Sequence, residues 1–176
     1  MIEPLLLAGT RILTFKGDAG LTNATGFFFE RDDRLFIATS RHVVIDEPSG
    51  HLPDRIEIDL HTDMENMADS SAFSILLYDD EGTAVWRQGI DAAGEIDVAV
   101  LELDRAALPE NMVYRAFSPK HLPARLDEIE VGSPLLVCGF PLGFHDTLHH
   151  TPVVRAAVIA SSFGLRFQGQ GYFLTD

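Results

Sequence analysis

Phe36-Ile37-Ala38-Thr39-Ser40-Arg41-His42-Val43-Val44 reads as a β-strand that runs directly into a histidine at the start of a helical turn. Downstream, Ile96-Asp97-Val98-Ala99-Val100-Leu101-Glu102-Leu103 places an aspartate at the head of an alternating strand. Strict alternation of apolar and polar residues is the mark of a half-buried strand. Both ends of the pattern therefore carry a titratable side chain held at the edge of β-structure.

The rest of the chain continues in the same style. Thr10 to Lys16 alternates and stops at Gly17-Asp18-Ala19-Gly20. Thr25 to Glu30 and Arg34 to Thr39 form an expected hairpin across Arg31-Asp32-Asp33, whose aspartates are good turn formers. Pro48 to Pro53 is a polar loop, and Arg55 to His61 alternates with Ile56, Ile58 and Leu60 on one face. Met64 to Ser71 reads as a loop. Phe73 to Tyr78 and Thr83 to Trp86 form a second expected hairpin across Asp79-Asp80-Glu81-Gly82. Residues 104–124 hold Pro109, Pro119 and Pro123 without a sustained period, as a linker crossing a surface would. Strands resume at Pro134 to Gly139, Val153 to Ser161 and Gly171 to Thr175. Amphipathic helices between strands are missing, so the pattern indicates an antiparallel all-β fold rather than α/β.

The bulk composition narrows the function classes. Asp plus Glu number 27 against 13 Lys plus Arg, a net charge of −14. Such a surface repels phosphate backbones, which argues against nucleic acid and anionic membrane as partners. Cys138 is the single cysteine, so no disulfide within the chain is expected, and a reducing, cytoplasmic setting is the expectation. Met1-Ile2-Glu3-Pro4-Leu5-Leu6-Leu7 has no basic leader region, and no stretch approaches the roughly 20 apolar residues of a membrane span.

His42 and Asp97 suit one kind of chemistry together. An imidazole ionises near neutrality and serves as a general base when one ring nitrogen is free. A carboxylate on the other nitrogen fixes the tautomer and stabilises the imidazolium that forms. Ile96, Val98, Val100 and Leu103 give Asp97 apolar surroundings, where a carboxylate needs a partner. Singly, each residue admits a plainer reading: His42 closing the turn after a strand, Asp97 a strand-edge charge facing water. Their order, with a hairpin before the histidine and a proline-rich linker after the aspartate, favours the paired reading.

Three motifs resemble the trypsin-like serine peptidases, in the style of the bacterial HtrA/Deg-like branch. Thr25-Gly26-Phe27-Phe28-Phe29 resembles the strand that opens the hairpin before the catalytic histidine. Thr39-Ser40-Arg41-His42-Val43-Val44 is similar to Thr-Asn-x-His-Val-Val, with Ser40 in the Asn position. Glu95-Ile96-Asp97-Val98-Ala99-Val100-Leu101 is similar to the segment carrying the catalytic aspartate. More weakly, Gly139-Phe140-Pro141-Leu142-Gly143 resembles a Gly-(Asn/Tyr)-Pro-x-Gly stretch of a second barrel, and Val153 to Ser162 its next strand. Tyr172-Phe173-Leu174-Thr175-Asp176 resembles the strand whose Thr-Asp ending leads into the nucleophile loop.

The resemblance implies a chymotrypsin-like double antiparallel β-barrel. The first barrel would span residues 1–103, the linker 104–124, and a partial second barrel 125–176. It implies peptide-bond hydrolysis by acyl transfer on a polypeptide substrate, with His42 as general base, Asp97 as its orienting partner and no cofactor. The family's nucleophile sits in a Gly-x-Ser-Gly loop just after the Thr-Asp strand, so the serine is expected beyond Asp176, the chain being a truncated form. The rival expectation is a non-catalytic pseudo-peptidase that holds a peptide along a strand edge. A structural domain of a larger signalling protein is a third.

No other residue competes as nucleophile. Ser161 and Ser162 read as strand-end residues without a Gly-x-Ser-Gly setting, and Cys138 lies inside an apolar strand as a small hydrophobe. His145, Asp146, His149 and His150 share one loop and are of residue types that suit zinc, yet their spacing fits no recognised ligand pattern. Gly139 to Gly143 lacks the spacing and following helix of a nucleotide loop, so no cofactor is expected there.

Overall fold

The structure, a computed structural model, describes residues 2–176. Seven strands form one antiparallel sheet in the first part of the chain: β1 (Gly9–Lys16), β2 (Ala19–Arg31), β3 (Arg34–Thr39), β4 (Arg55–His61), β5 (Ser70–Leu76), β6 (Trp86–Asp91) and β7 (Gly94–Leu103). A single helical turn, α1 (Arg41–Val44), follows β3. The spatial order is β5-β4-β1-β2-β3-β7-β6. The two outer strands are consecutive in sequence, and the segment between them joins the edges: Tyr78 bridges Ala84, and the Val85 N–H donates to the Leu77 carbonyl (3.0 Å). The sheet thus closes on itself, which removes an exposed edge on that side.

Alternation decides what the barrel contains. Ile12 of β1, Leu35 and Ile37 of β3, Ile56, Ile58 and Leu60 of β4, and Ala99, Leu101 and Leu103 of β7 all lie in one buried cluster. Gly26 of β2 faces that cluster at close quarters. A Cβ there would come within 2.7 Å of Ile12 Cδ1 and 3.0 Å of Ile37 Cγ1, so a larger residue would force these core side chains to shift. The β2–β3 hairpin turns through Asp32 (φ 51°) and Asp33 (φ 60°), both left-handed, which is the backbone of a type I′ turn. Aspartate tolerates this region better than most residues.

The remainder departs from the sequence expectation in particular places. β5 begins at Ser70, because its ladder with β4 continues as far as His61↔Ser70. The hairpin partner expected at Thr83 to Trp86 is only the Tyr78–Ala84 bridge, and the strand proper runs Trp86–Asp91 against β7. Residues 104–133 contain no strand, yet they do more than cross a surface. The Val113 N–H donates to the His61 carbonyl (2.8 Å) and the Phe117 N–H to the Phe28 carbonyl (2.9 Å). Met112, Tyr114 and Ala116 pack against the barrel core.

The C-terminal part carries a two-stranded antiparallel sheet, β8 (Pro134–Gly139) with β9 (Val153–Val158). Gly171 to Thr175 is not a strand but contributes the Ile159↔Thr175 bridge, flanked by Ala160 N–H to Leu174 carbonyl (2.8 Å). This half docks on the barrel through Thr25, whose Oγ1 accepts the Phe140 N–H (2.9 Å) and whose carbonyl accepts the Thr39 hydroxyl (2.9 Å). The strand leading to His42 is therefore tied to both halves. No helix among the described residues is long and apolar enough to cross a membrane.

Candidate active site

α1 is too short to persist on its own propensity and is held by packing. Val43 and Val44 are buried in the barrel core, which leaves Arg41 and His42 on the outer side of the turn. His51 adds a further tie. Its Nε2 lies 3.0 Å from the Val43 carbonyl and donates to it, and its backbone pairs with Asp46. Sequence reasoning had no signal for His51, since a lone histidine in a polar loop carries no pattern.

Asp97 lies on the same face of β7 as the buried Ala99, Leu101 and Leu103, at the end where the barrel opens. Its carboxylate makes two bonds to one residue. Oδ1 accepts the His42 backbone N–H (2.9 Å), and Oδ2 lies 2.7 Å from His42 Nδ1. A carboxylate accepts hydrogen bonds, so Nδ1 is the donor in this contact, and Nε2 makes no hydrogen bond among the described residues. The apolar enclosure expected around Asp97 does not occur: the two side chains are 55% and 61% exposed for Asp97 and His42. The physical reason is position, since the strand's first residues project past the rim of the core. Solvent screening keeps so exposed a pair from adding much to stability.

Among the described residues no serine or cysteine side chain hydrogen-bonds to His42, whose bonds both run to Asp97. Ser161 is engaged elsewhere: its Oγ accepts the Leu174 N–H (2.8 Å). Cys138 sits half-buried in β8, and burial pushes its thiol above the ordinary value, away from the reactive thiolate.

The histidine-bearing loop is organised by Asp146, which accepts the Leu148 N–H (3.0 Å), the His149 N–H (3.2 Å) and a bond with His149 Nδ1 (2.8 Å). These bonds, His149's side chain first, hold the Asp146 carboxyl down to about 2. His150 reaches toward Asp59 of β4 (3.8 Å), and burial lowers the pKa of neighbouring His61. No group of three or more His, Cys, Asp or Glu among the described residues is placed to hold a metal ion.

The loop yields a pH prediction. A depressed carboxyl stabilises the fold fully above its unfolded value of 3.8 and loses that contribution as pH falls through about 2. Asp146→Asn is therefore expected to be less stable than the unaltered protein near neutrality. The gap should close between pH ~4 and ~2 in thermal melts, by the same linkage. A gap that is constant across that window would contradict the Asp146 bonding.

The closed barrel, with the second sheet docked beside it and the exposed His42–Asp97 pair at its rim, is an all-β protein of the chymotrypsin-like fold. A solved structure of a scabies mite inactivated protease paralogue matches with a TM-score of 0.54 at 19% sequence identity. The match covers 90% of this chain and 64% of that one, so the chain spans less than two thirds of its neighbour's length. At that identity the likeness is one of fold. No protein-family profile matches the sequence, and no curated protein does.

Proposed function

We propose that this chain is the His- and Asp-bearing part of a serine-type endopeptidase of the HtrA/Deg style, acting on polypeptides. Residues 1–103 form the catalytic first barrel, 104–124 the linker and 125–176 part of the second barrel. The observation that supports this most is the pair of hydrogen bonds from the His42 amide and ring Nδ1 to Asp97, which leaves Nε2 available as a base. A serine from outside residues 1–176 supplies the nucleophile. Its Oγ attacks the scissile carbonyl carbon as Nε2 of His42 takes the hydroxyl proton. Collapse of the tetrahedral adduct breaks the C–N bond, and the same Nε2–H gives its proton to the leaving amine. Water then repeats the sequence on the acyl-enzyme, and Asp97 holds the imidazolium throughout.

The reading is tested with a fluorogenic peptide library on the intact protein. Cleavage that disappears in His42→Ala is the expected result. A second reading is favoured by a neighbour described as inactivated. In that reading the barrel binds peptides without cutting them, and the same library would show retention without cleavage in both proteins.

A further inference from the structure

Segment 166–171 of the C-terminal half lies against the β6–β7 hairpin from which Asp97 emerges. Nη2 of Arg166 donates to Asp91 Oδ1 (2.5 Å), to the Gly94 carbonyl (3.3 Å) and to the Glu95 carbonyl (3.5 Å). Asp91 closes β6, while Gly94 and Glu95 open β7, so one nitrogen bridges both strands at the hairpin's end. Asp91 Oδ1 also accepts the Ala93 N–H (2.7 Å) across the turn. Arg166, first through its side-chain bond, holds the Asp91 carboxyl below the ordinary carboxylate value. Further along the same segment, Gly171 lies so near Ile96 that a Cβ would stand 2.5 Å from Ile96 Cγ2. Ile96 immediately precedes Asp97.

The hairpin needs such a hold. The β6–β7 register shifts between Gln88 and Ile90, so beyond the bulge the tip is paired only through Ile90↔Glu95 and Asp91↔Gly94. Along its length β6 pairs with β7 alone, and strand ends with few pairings open locally. A carboxylate that must orient a ring has to be held to within about 0.5 Å. We infer that Arg166 is a positioning residue for Asp97, clamping the hairpin end so that its carboxylate meets both the amide and the ring of His42. This rests on the reading of His42 and Asp97 as a base and its partner. It couples the second half of the chain to the first barrel's site.

The test compares Arg166→Gln and Arg166→Lys with the unaltered intact protein. It follows the downfield proton resonance of His42 Nδ1–H and the exchange rate of the His42 backbone N–H. Arg166→Gln is expected to weaken or lose the ring-proton resonance and to speed amide exchange by about 10-fold or more, with the melting temperature of the barrel retained. Lys, whose single nitrogen can replace Nη2, is expected to restore both signals. Unchanged signals in Arg166→Gln would overturn the inference. So would loss of the whole fold in both variants, which would make Arg166 a general structural residue. Absence of the resonance in the unaltered protein would instead overturn the His42–Asp97 pair itself, and the inference with it.

Discussion

Asp97→Asn in the intact protein is expected to lower kcat by about 10⁴-fold, the loss that a wrong histidine tautomer produces in triads of this kind. The geometry explains why so small a change is so severe. Asn keeps an oxygen where Oδ1 accepts the His42 N–H, and places its amide nitrogen where Oδ2 faces Nδ1. The side chain fits the site unchanged in shape. Its NH₂ donates, however, so Nδ1 must become the acceptor and the ring proton moves to Nε2. A base with its lone pair turned inward cannot take the serine's proton. Steady-state kinetics on a cleaved peptide measure the effect, and a loss of only a few-fold would sink the assignment of Asp97.

Ile37→Ala is expected to destabilise the protein by about 2–5 kcal/mol, the range for truncating a buried isoleucine. Ile37 is fully buried in β3, paired across to Phe28 on one side and Leu101 on the other. Gly26 on the adjacent strand β2 lies against Ile37 and has no side chain to move into the space, so the cavity should persist and the loss lie toward the upper end. Urea unfolding with unchanged m-value measures it. A shift equivalent to less than ~1 kcal/mol would mean that the barrel core collapses around the site, contrary to native packing density.

The features legible in the sequence were those carried by local pattern. β3, β4 and β8 follow from unbroken alternation or an apolar run bounded by turn residues, as at Ile56, Ile58 and Leu60. His42 and Asp97 were legible because each ends or begins such a pattern. β6 was not, since Gly89 interrupts it at the bulge; a Cβ there would stand 2.9 Å from Ile96 Cγ1. The start of β5 at Ser70 depends on hydrogen bonds to His61, not on its own side chains. The solvent exposure of Asp97 is a consequence of the barrel rim, which flanking valines cannot report. His51 and Arg166 act through contacts between segments far apart in the chain, and no local spacing encodes those.

The central claim is that Nε2 of His42 activates a serine for acyl transfer. Its most direct test is to treat the intact protein with a reactive phosphonate and locate the adduct by mass. The expected result is a single labelled serine outside residues 1–176, with labelling abolished in His42→Ala. No adduct, or one formed equally in His42→Ala, would contradict the claim and leave the barrel as a peptide-binding module.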